Sequence, residues 1–196
     1  MSACAVSFAM AFDITVDGIG YNIVDRTAHT VTVSGWDDNY FTSNPTNPNI
    51  GTGSGDVSGP VNLVLPWRVY HNGLYYKVVS INDEAFSDCT SMKTVTIPNS
   101  VSSIGDDAFQ GCTNLQTVTV QWTKPLGISE EVFDGLDLSG MVLRVLSGYK
   151  ATYEEADVWK NFGEVREYVD VDVIMMFEDD VVKDICVSNL DLNNDD

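Results

Sequence analysis

Apolar and polar residues alternate along this chain over short stretches, and the clearest of these patterns occurs twice in succession. VVSINDEAFSDCTSMKTVTIPNS (Val78 to Ser100) is followed directly by VSSIGDDAFQGCTNLQTVTVQWT (Val101 to Thr123), so the step from Val78 to Val101 is the repeat period. In this register Ile81 matches Ile104, Ala85 matches Ala108, Phe86 matches Phe109, Cys89 matches Cys112 and Met92 matches Leu115, while Val95 and Ile97 match Val118 and Val120. The runs Met92-x-x-Val95-x-Ile97 and Leu115-x-x-Val118-x-Val120 have the L-x-x-L-x-L form expected where a repeat enters a strand. Val-Thr-Val alternation sends the apolar side chains inward and the threonines outward. Asp83 to Phe86 and Asp106 to Phe109 read as a short helical or 3-10 turn, acidic at its start and apolar at its end. One such unit cannot bury its own apolar face, so its neighbours must cover it.

The flanks follow other patterns. FDITVDGIGYNIVD and HTVTVSG alternate around Asp17-Gly18 and Gly20 as β-hairpins do. Thr42 to Pro60 concentrates Pro, Gly, Asn and Ser and reads as a long loop. NLVLPWRVYHNGLYYKVVSI then predicts two strands turning at His71-Asn72-Gly73. Downstream, Ile128 to Val145 is a degenerate third unit, with Phe133 and Leu136 one residue late at the Phe and Cys places. Gly148 to Phe162 spaces Tyr149, Tyr153 and Ala156 helically, with Trp159 and Phe162 following as apolar plugs.

The run I-x-D-x-A-F-x-x-C-x-x-L/M-x-x-V-x-I/V-P, with the Ile97-Pro98-Asn99-Ser100-Val101 junction, resembles the BspA-type leucine-rich repeats of surface proteins in Bacteroidetes and some parasitic protists. Two full repeats cover Val78 to Thr123, and a weaker periodicity extends from about Gly55 to Tyr168. The resemblance implies a mainly β fold with short helices: a leucine-rich-repeat solenoid with an N-terminal β-hairpin cap and a C-terminal helical cap. The expected divisions are a signal-peptide remnant at 1–11, a β cap with a first degenerate repeat at 12–77, and the two full repeats at 78–123. A degenerate repeat with the closing cap follows at 124–168, and an acidic tail at 169–196.

Charge and length narrow the partners. Lys and Arg number 10 against 29 Asp and Glu, a net charge of −19, which repels nucleic acid and anionic membranes and suits basic proteins or cations. No stretch approaches the roughly 18 apolar residues needed to cross a bilayer. MSACAVSFAMA at the N-terminus ends in the A-x-A form of a signal-peptidase site but lacks a positive n-region, so an apolar β-leader is the alternative; Met1 to Cys4 also resembles a lipoprotein box. From Glu164 to Asp196, 11 acids stand against Arg166 and Lys183. There Phe177, Val181 and Ile185 recur at helical spacing. Asp191 to Asp196 resembles the opening of an EF-hand or dockerin calcium loop, without the closing carboxylate or the turn glycine, so no complete metal site is expected.

Candidate chemistry is sparse. Cys89 and Cys112 repeat one core position, where small buried thiols pack well without a disulfide, and no zinc spacing occurs. His29 on a presumed strand and His71 in a turn are expected at the surface. No nucleophile, metalloprotease or phosphate-loop motif appears, so no enzyme and no cofactor is expected. Trp36, Trp67, Trp122 and Trp159 with Tyr70, Tyr75 and Tyr76 form either a core or an aromatic platform for sugars or proteins. The resemblance implies a secreted or cell-surface protein, on a bacterial outer surface, that acts as a monomeric adhesion module. Its repeat sheet would present Thr94, Thr96, Thr117 and Thr119, with Trp122 at the edge, to a host or matrix protein. The alternative is a spacer or carbohydrate-binding accessory domain of a longer surface protein, so the expected ligand is a protein or a glycan.

Overall fold

Two short hairpins set the N-terminal geometry, and each rests on a dipeptide that tolerates left-handed backbone. Asp17 (φ 51°) and Gly18 (φ 81°) join β1 (Ile14–Val16) to β2 (Ile19–Asp25). Asn72 (φ 49°) and Gly73 (φ 85°) join β5 (Arg68–His71) to β6 (Leu74–Ile81). Positive φ at both central residues gives a turn whose twist matches that of the paired strands. The computed structural model describes residues 12–36 and 61–169. The signal-like segment, the Thr42 to Pro60 loop, the tail helix and the calcium-loop-like end lie outside the described residues.

The strands form two sheets. One runs β1-β2-β3-β6-β5, with β3 spanning Thr30–Trp36, and β8 (Ser103–Ile104) pairs β6 beside this path. The other runs β11-β10-β9-β7-β4. Its members are β4 (Val61–Val64), β7 (Met92–Ile97), β9 (Thr117–Val120), β10 (Val142–Leu146) and β11 (Glu164–Tyr168), and every pair in it is parallel. The chain passes from one sheet to the other and back: β6 leads through a turn to β7, β8 returns, and β9 follows. Ile81 lies beside Ile104 in the first sheet, and Val95 and Ile97 lie beside Val118 and Val120 in the second. These neighbours are the same pairs that the sequence repeat aligns. Between β9 and β10 the step lengthens, with Val118 beside Leu143.

The turns stack as well as the strands. The N–H groups of Glu84, Phe86 and Asp88 donate to the carbonyls of Asp106, Ala108 and Gln110; Phe109 and Gly111 donate onward to Val132 and Asp134. Glu84, Asp88, Asp107 and Gly111 all have φ between 55° and 65°. The short turn expected over Asp83 to Phe86 is a hydrogen-bonded turn and not a regular helix, with the Ala85 N–H donating to the Asn82 carbonyl and that of Ser87 to Glu84. Left-handed residues alternate there with others, so that successive N–H groups point in turn to the adjacent turn and back three residues, and aspartate tolerates that conformation better than β-branched residues do. Beneath the turns, Phe86, Phe109 and Phe133 form one ring stack, with centroids 5.6 Å apart at each step.

Three further expectations change. NLVLPWRVYHNGLYYKVVSI holds three strands, because Val61–Val64 joins the opposite sheet from the hairpin that follows Pro66. The division at residue 77 falls inside β6. The C-terminal helix, α1 (Lys150–Glu155), is short: Val158 turns left-handed at φ 66°, and Trp159–Asn161 forms a 3-10 turn. That break lets Tyr153, Trp159 and Phe162 all reach the core, where Trp159 also meets Trp122 and Phe133. The apolar faces of both sheets and these rings share one buried cluster.

Candidate recognition surfaces

The outer face of the parallel sheet carries the residues expected to bind. Register places Asn62, Thr94, Thr117 and Val142 in one row across β4, β7, β9 and β10, and Val64, Thr96, Thr119 and Arg144 in the next. Thr94, Thr96 and Thr117 are half-buried, and the Thr94 hydroxyl donates to the Asn62 amide oxygen at 3.0 Å. Thr119 does not belong with them, being only 7% exposed. It sits on a central strand beside Arg144, and the Tyr168 hydroxyl reaches over from β11 to the Val120 carbonyl, 3.3 Å away. Trp122 is also removed from any contact surface at 7% exposure. Its indole N–H donates to the Val101 carbonyl at 2.8 Å, and its own carbonyl accepts from the Tyr153 hydroxyl at 3.0 Å. A tryptophan just past a strand end reads as edge from sequence, but here the chain folds it under the closing turn.

The remaining aromatic candidates divide sharply. Tyr76 and Trp159 are buried; Trp36 is half-buried, lies against the Phe86 ring and donates its N–H to the Cys89 sulfur at 3.0 Å. Trp67, Tyr70 and Tyr75 are exposed at 47%, 58% and 54%. They meet on the β5–β6 hairpin, where Arg68 lies opposite Lys77 and Tyr70 opposite Tyr75, so all four of these share one face. The Arg68 guanidinium carbon sits 4.3 Å from the Trp67 ring centroid and 4.1 Å from that of Tyr75, whose ring lies 5.0 Å from Tyr70. Strand alternation on either side of Asn72-Gly73 carried the signal that separates these residues from Tyr76.

A cavity of about 300 Å³ opens between the β1–β2 turn and β4, lined in part by Val16, Ile19, Tyr21 and Leu63. Tyr21 is fully buried and its hydroxyl has no hydrogen-bond partner among the described residues. Burial first, and the Asp17 carboxylate second, push this phenol well above its usual range. Tyr21→Phe is therefore expected to raise stability by about 1–2 kcal/mol, since an orphaned buried hydroxyl carries a desolvation cost with no return. Urea unfolding of both forms measures it, and a loss of stability would mean that the hydroxyl has a partner.

Asp25 is held below the usual carboxylate range by the backbone N–H groups of Ala28 and Thr27, Asp157 by Lys160, and Glu164 by Arg166. Burial pushes the Cys112 thiol up to about 12, and this free thiol contacts the Phe86 carbonyl at 3.1 Å. Cys89, in contrast, is disulfide-bonded, so the two equivalent cysteines are not the matched pair of thiols expected from the repeat. His29 lies in the turn before β3 rather than on a strand, its ring 5.5 Å from that of Tyr76, and the His71 Nε2 lies 2.8 Å from the Asn72 amide nitrogen. Among the described residues no group of three or more His, Cys, Asp or Glu is placed to hold a metal, and no helix is long and apolar enough to cross a membrane.

No curated protein matches the chain. Solved structures that it resembles include a leucine-rich repeat protein from Bacteroides ovatus, at 21% identity over 79% of this chain and 41% of that one, with a TM-score of 0.45. A leucine-rich repeat protein from Bacteroides capillosus gives 18% identity over 79% and 97% of the two chains, with a TM-score of 0.45, and the leucine-rich repeat protein of T. pallidum gives 15% over 92% and 96%, with a TM-score of 0.42. The chain thus spans less than half the length of the Bacteroides ovatus protein. Residues 73–144, which hold the two in-register copies and the strand that follows them, match the family model described as the BspA type Leucine rich repeat region (6 copies).

Proposed function

We propose that this chain is a secreted or cell-surface recognition module, a capped leucine-rich-repeat solenoid that binds a host or matrix protein through the outer face of its parallel sheet. Leucine-rich-repeat proteins typically bind proteins, and BspA-type members are typically displayed at the cell surface. The observation that carries the reading is the patch of accessible polar side chains across β4, β7 and β9, with Asn62, Thr94 and Thr117 in one row and Thr96 in the next. Parallel neighbouring strands hold these residues at a fixed spacing on a face whose backbone groups are already paired, so contact with a partner requires little ordering. The β1–β2 and β2–β3 hairpins at one end, and α1 with β11 at the other, serve as the caps that keep the end turns from exposing core and unpaired strands.

The test is binding of the purified chain to immobilised matrix proteins at physiological salt, with and without Ca²⁺. Saturable binding that falls at least tenfold in a Thr94→Lys, Thr96→Lys, Thr117→Lys variant of unchanged melting temperature is the expected result. Undiminished binding by that variant would remove this face from the reading, and binding to glycans alone would favour an accessory role. The ring faces that a sugar needs are less available than the exposure of Trp67 and Tyr75 suggests, because the Arg68 guanidinium lies over both.

A further inference from the structure

The β5–β6 hairpin is a charge island. From Val57 to Asn82 the sequence contains no Asp or Glu, although the chain holds 29, and the hairpin carries Arg68 and Lys77 on one face. Four other cations are matched locally, Arg26 with Asp13, Lys150 with Glu154, Lys160 with Asp157 and Arg166 with Glu164, whereas Lys93, Lys124 and Arg144 stand apart from one another on separate segments. Arg68 and Lys77 are exposed, and neither forms an ion pair among the described residues. Arg68 is nevertheless held in place, between the Trp67 and Tyr75 rings. A guanidinium fixed by its planar faces keeps its N–H groups at the rim, where they form a preorganised fork suited to a carboxylate.

We propose that this hairpin is a second docking surface, one that takes an extended acidic segment of a partner protein with a carboxylate seated on Arg68. Charge complementarity selects the partner's chemistry, because a positive patch on a strongly acidic molecule attracts acidic sequence to this spot and repels it elsewhere. The surface has the composition of binding hot spots: Trp, Tyr and Arg clustered together, with Tyr70 beside the sandwich and Leu74 exposed at the turn. Strand position favours an extended segment. Among the described residues β5 is the last strand of its sheet, so a partner strand added along it places alternate side chains beside Arg68 and Tyr70.

The proposal is tested by fluorescence anisotropy with a labelled peptide alternating Glu and Val, and with the same peptide carrying Gln for Glu, at low and physiological salt. The whole chain is expected to bind the Glu peptide saturably, about tenfold more tightly than the Gln peptide, and Arg68→Ala to weaken the Glu peptide by about the same factor. Arg68→Lys keeps the charge but loses the fork and is expected to recover only part of the affinity. Thr94→Lys, Thr96→Lys, Thr117→Lys is expected to leave peptide binding unchanged, which separates failure of this surface from failure of the sheet face. Equal affinity for the two peptides, or no effect of Arg68→Ala in a variant whose melting temperature is unchanged, overturns the proposal. So does Arg68-dependent self-association or preferential binding to an acidic polysaccharide, since either assigns the surface a different occupant.

Discussion

Phe109→Ala is expected to destabilise the protein by about 3–5 kcal/mol, read from a lowered urea midpoint at unchanged slope. Phe109 is the middle ring of the three-phenylalanine stack, so its removal strips contact from Phe86 above and Phe133 below at once. The space left behind cannot close easily. The backbone N–H of Phe109 is tied to the Val132 carbonyl, and that of Phe86 to the Ala108 carbonyl, which pins the turns on both sides at their present separation. Cost in such sites follows the cavity that persists after relaxation. A loss below about 1 kcal/mol would mean that the turns collapse freely and that the hydrogen-bonded ladder does not hold them apart.

Trp159→Ala is expected to cost a similar amount, about 3–5 kcal/mol, by a different mixture of causes. Trp159 is fully buried, its ring meets those of Trp122, Tyr153 and Phe162, and its indole N–H donates to the Leu126 carbonyl at 2.7 Å. Truncation removes the rings' common neighbour and leaves that carbonyl without its donor. Trp159→Phe restores most of the volume while still omitting the hydrogen bond, and its smaller loss, about 1–3 kcal/mol, isolates the polar part. Denaturant unfolding followed by far-UV circular dichroism distinguishes the two variants; equal losses would mean that packing contributes little beyond the hydrogen bond.

The repeated segment was the most legible part of the chain in sequence, and physics explains why. Val95 and Val118, or Ile97 and Val120, face the same interior from adjacent strands, so they meet the same steric demand and remain similar enough to align. Features that depend on where the chain travels next left weaker traces. Val61–Val64 alternates identically whichever sheet it joins, so its place beside β7 was not visible. The spacing of Tyr149, Tyr153 and Ala156 continues a helical pattern past Glu155, where the chain leaves α1. Glu84, Asp88 and Asp107 conceal their left-handed backbone because acidic residues, unlike glycine, do not advertise it. Among candidate binding residues, sequence alternation sets Thr94, Thr96 and Thr117, which are half-buried, apart from the buried Val95, Ile97 and Val118, but it carries no information on what crosses above Thr119. Burial of Trp122 likewise depends on Tyr153 and Trp159, which come much later in the chain.

The spacing of strand partners also has a bearing on the order in which the chain assembles. Val95 pairs with Val118 across β7 and β9, Val118 with Leu143 across β9 and β10, and Leu143 with Val165 across β10 and β11, so these pairings close loops of nearly equal length. By contrast, the pairing of Asn62 with Thr94 across β4 and β7 closes a longer loop, and that of Val31 with Val78 across β3 and β6 a longer one still. Loop-closure entropy grows only as the logarithm of length, so a loop twice as long costs only about 0.6 kcal/mol more to close. Speed is affected more than stability, because non-local contacts form late. The stretch from β6 onward is thus suited to act as a template that grows one turn at a time, with β1, β2 and β3 settling on a surface already formed.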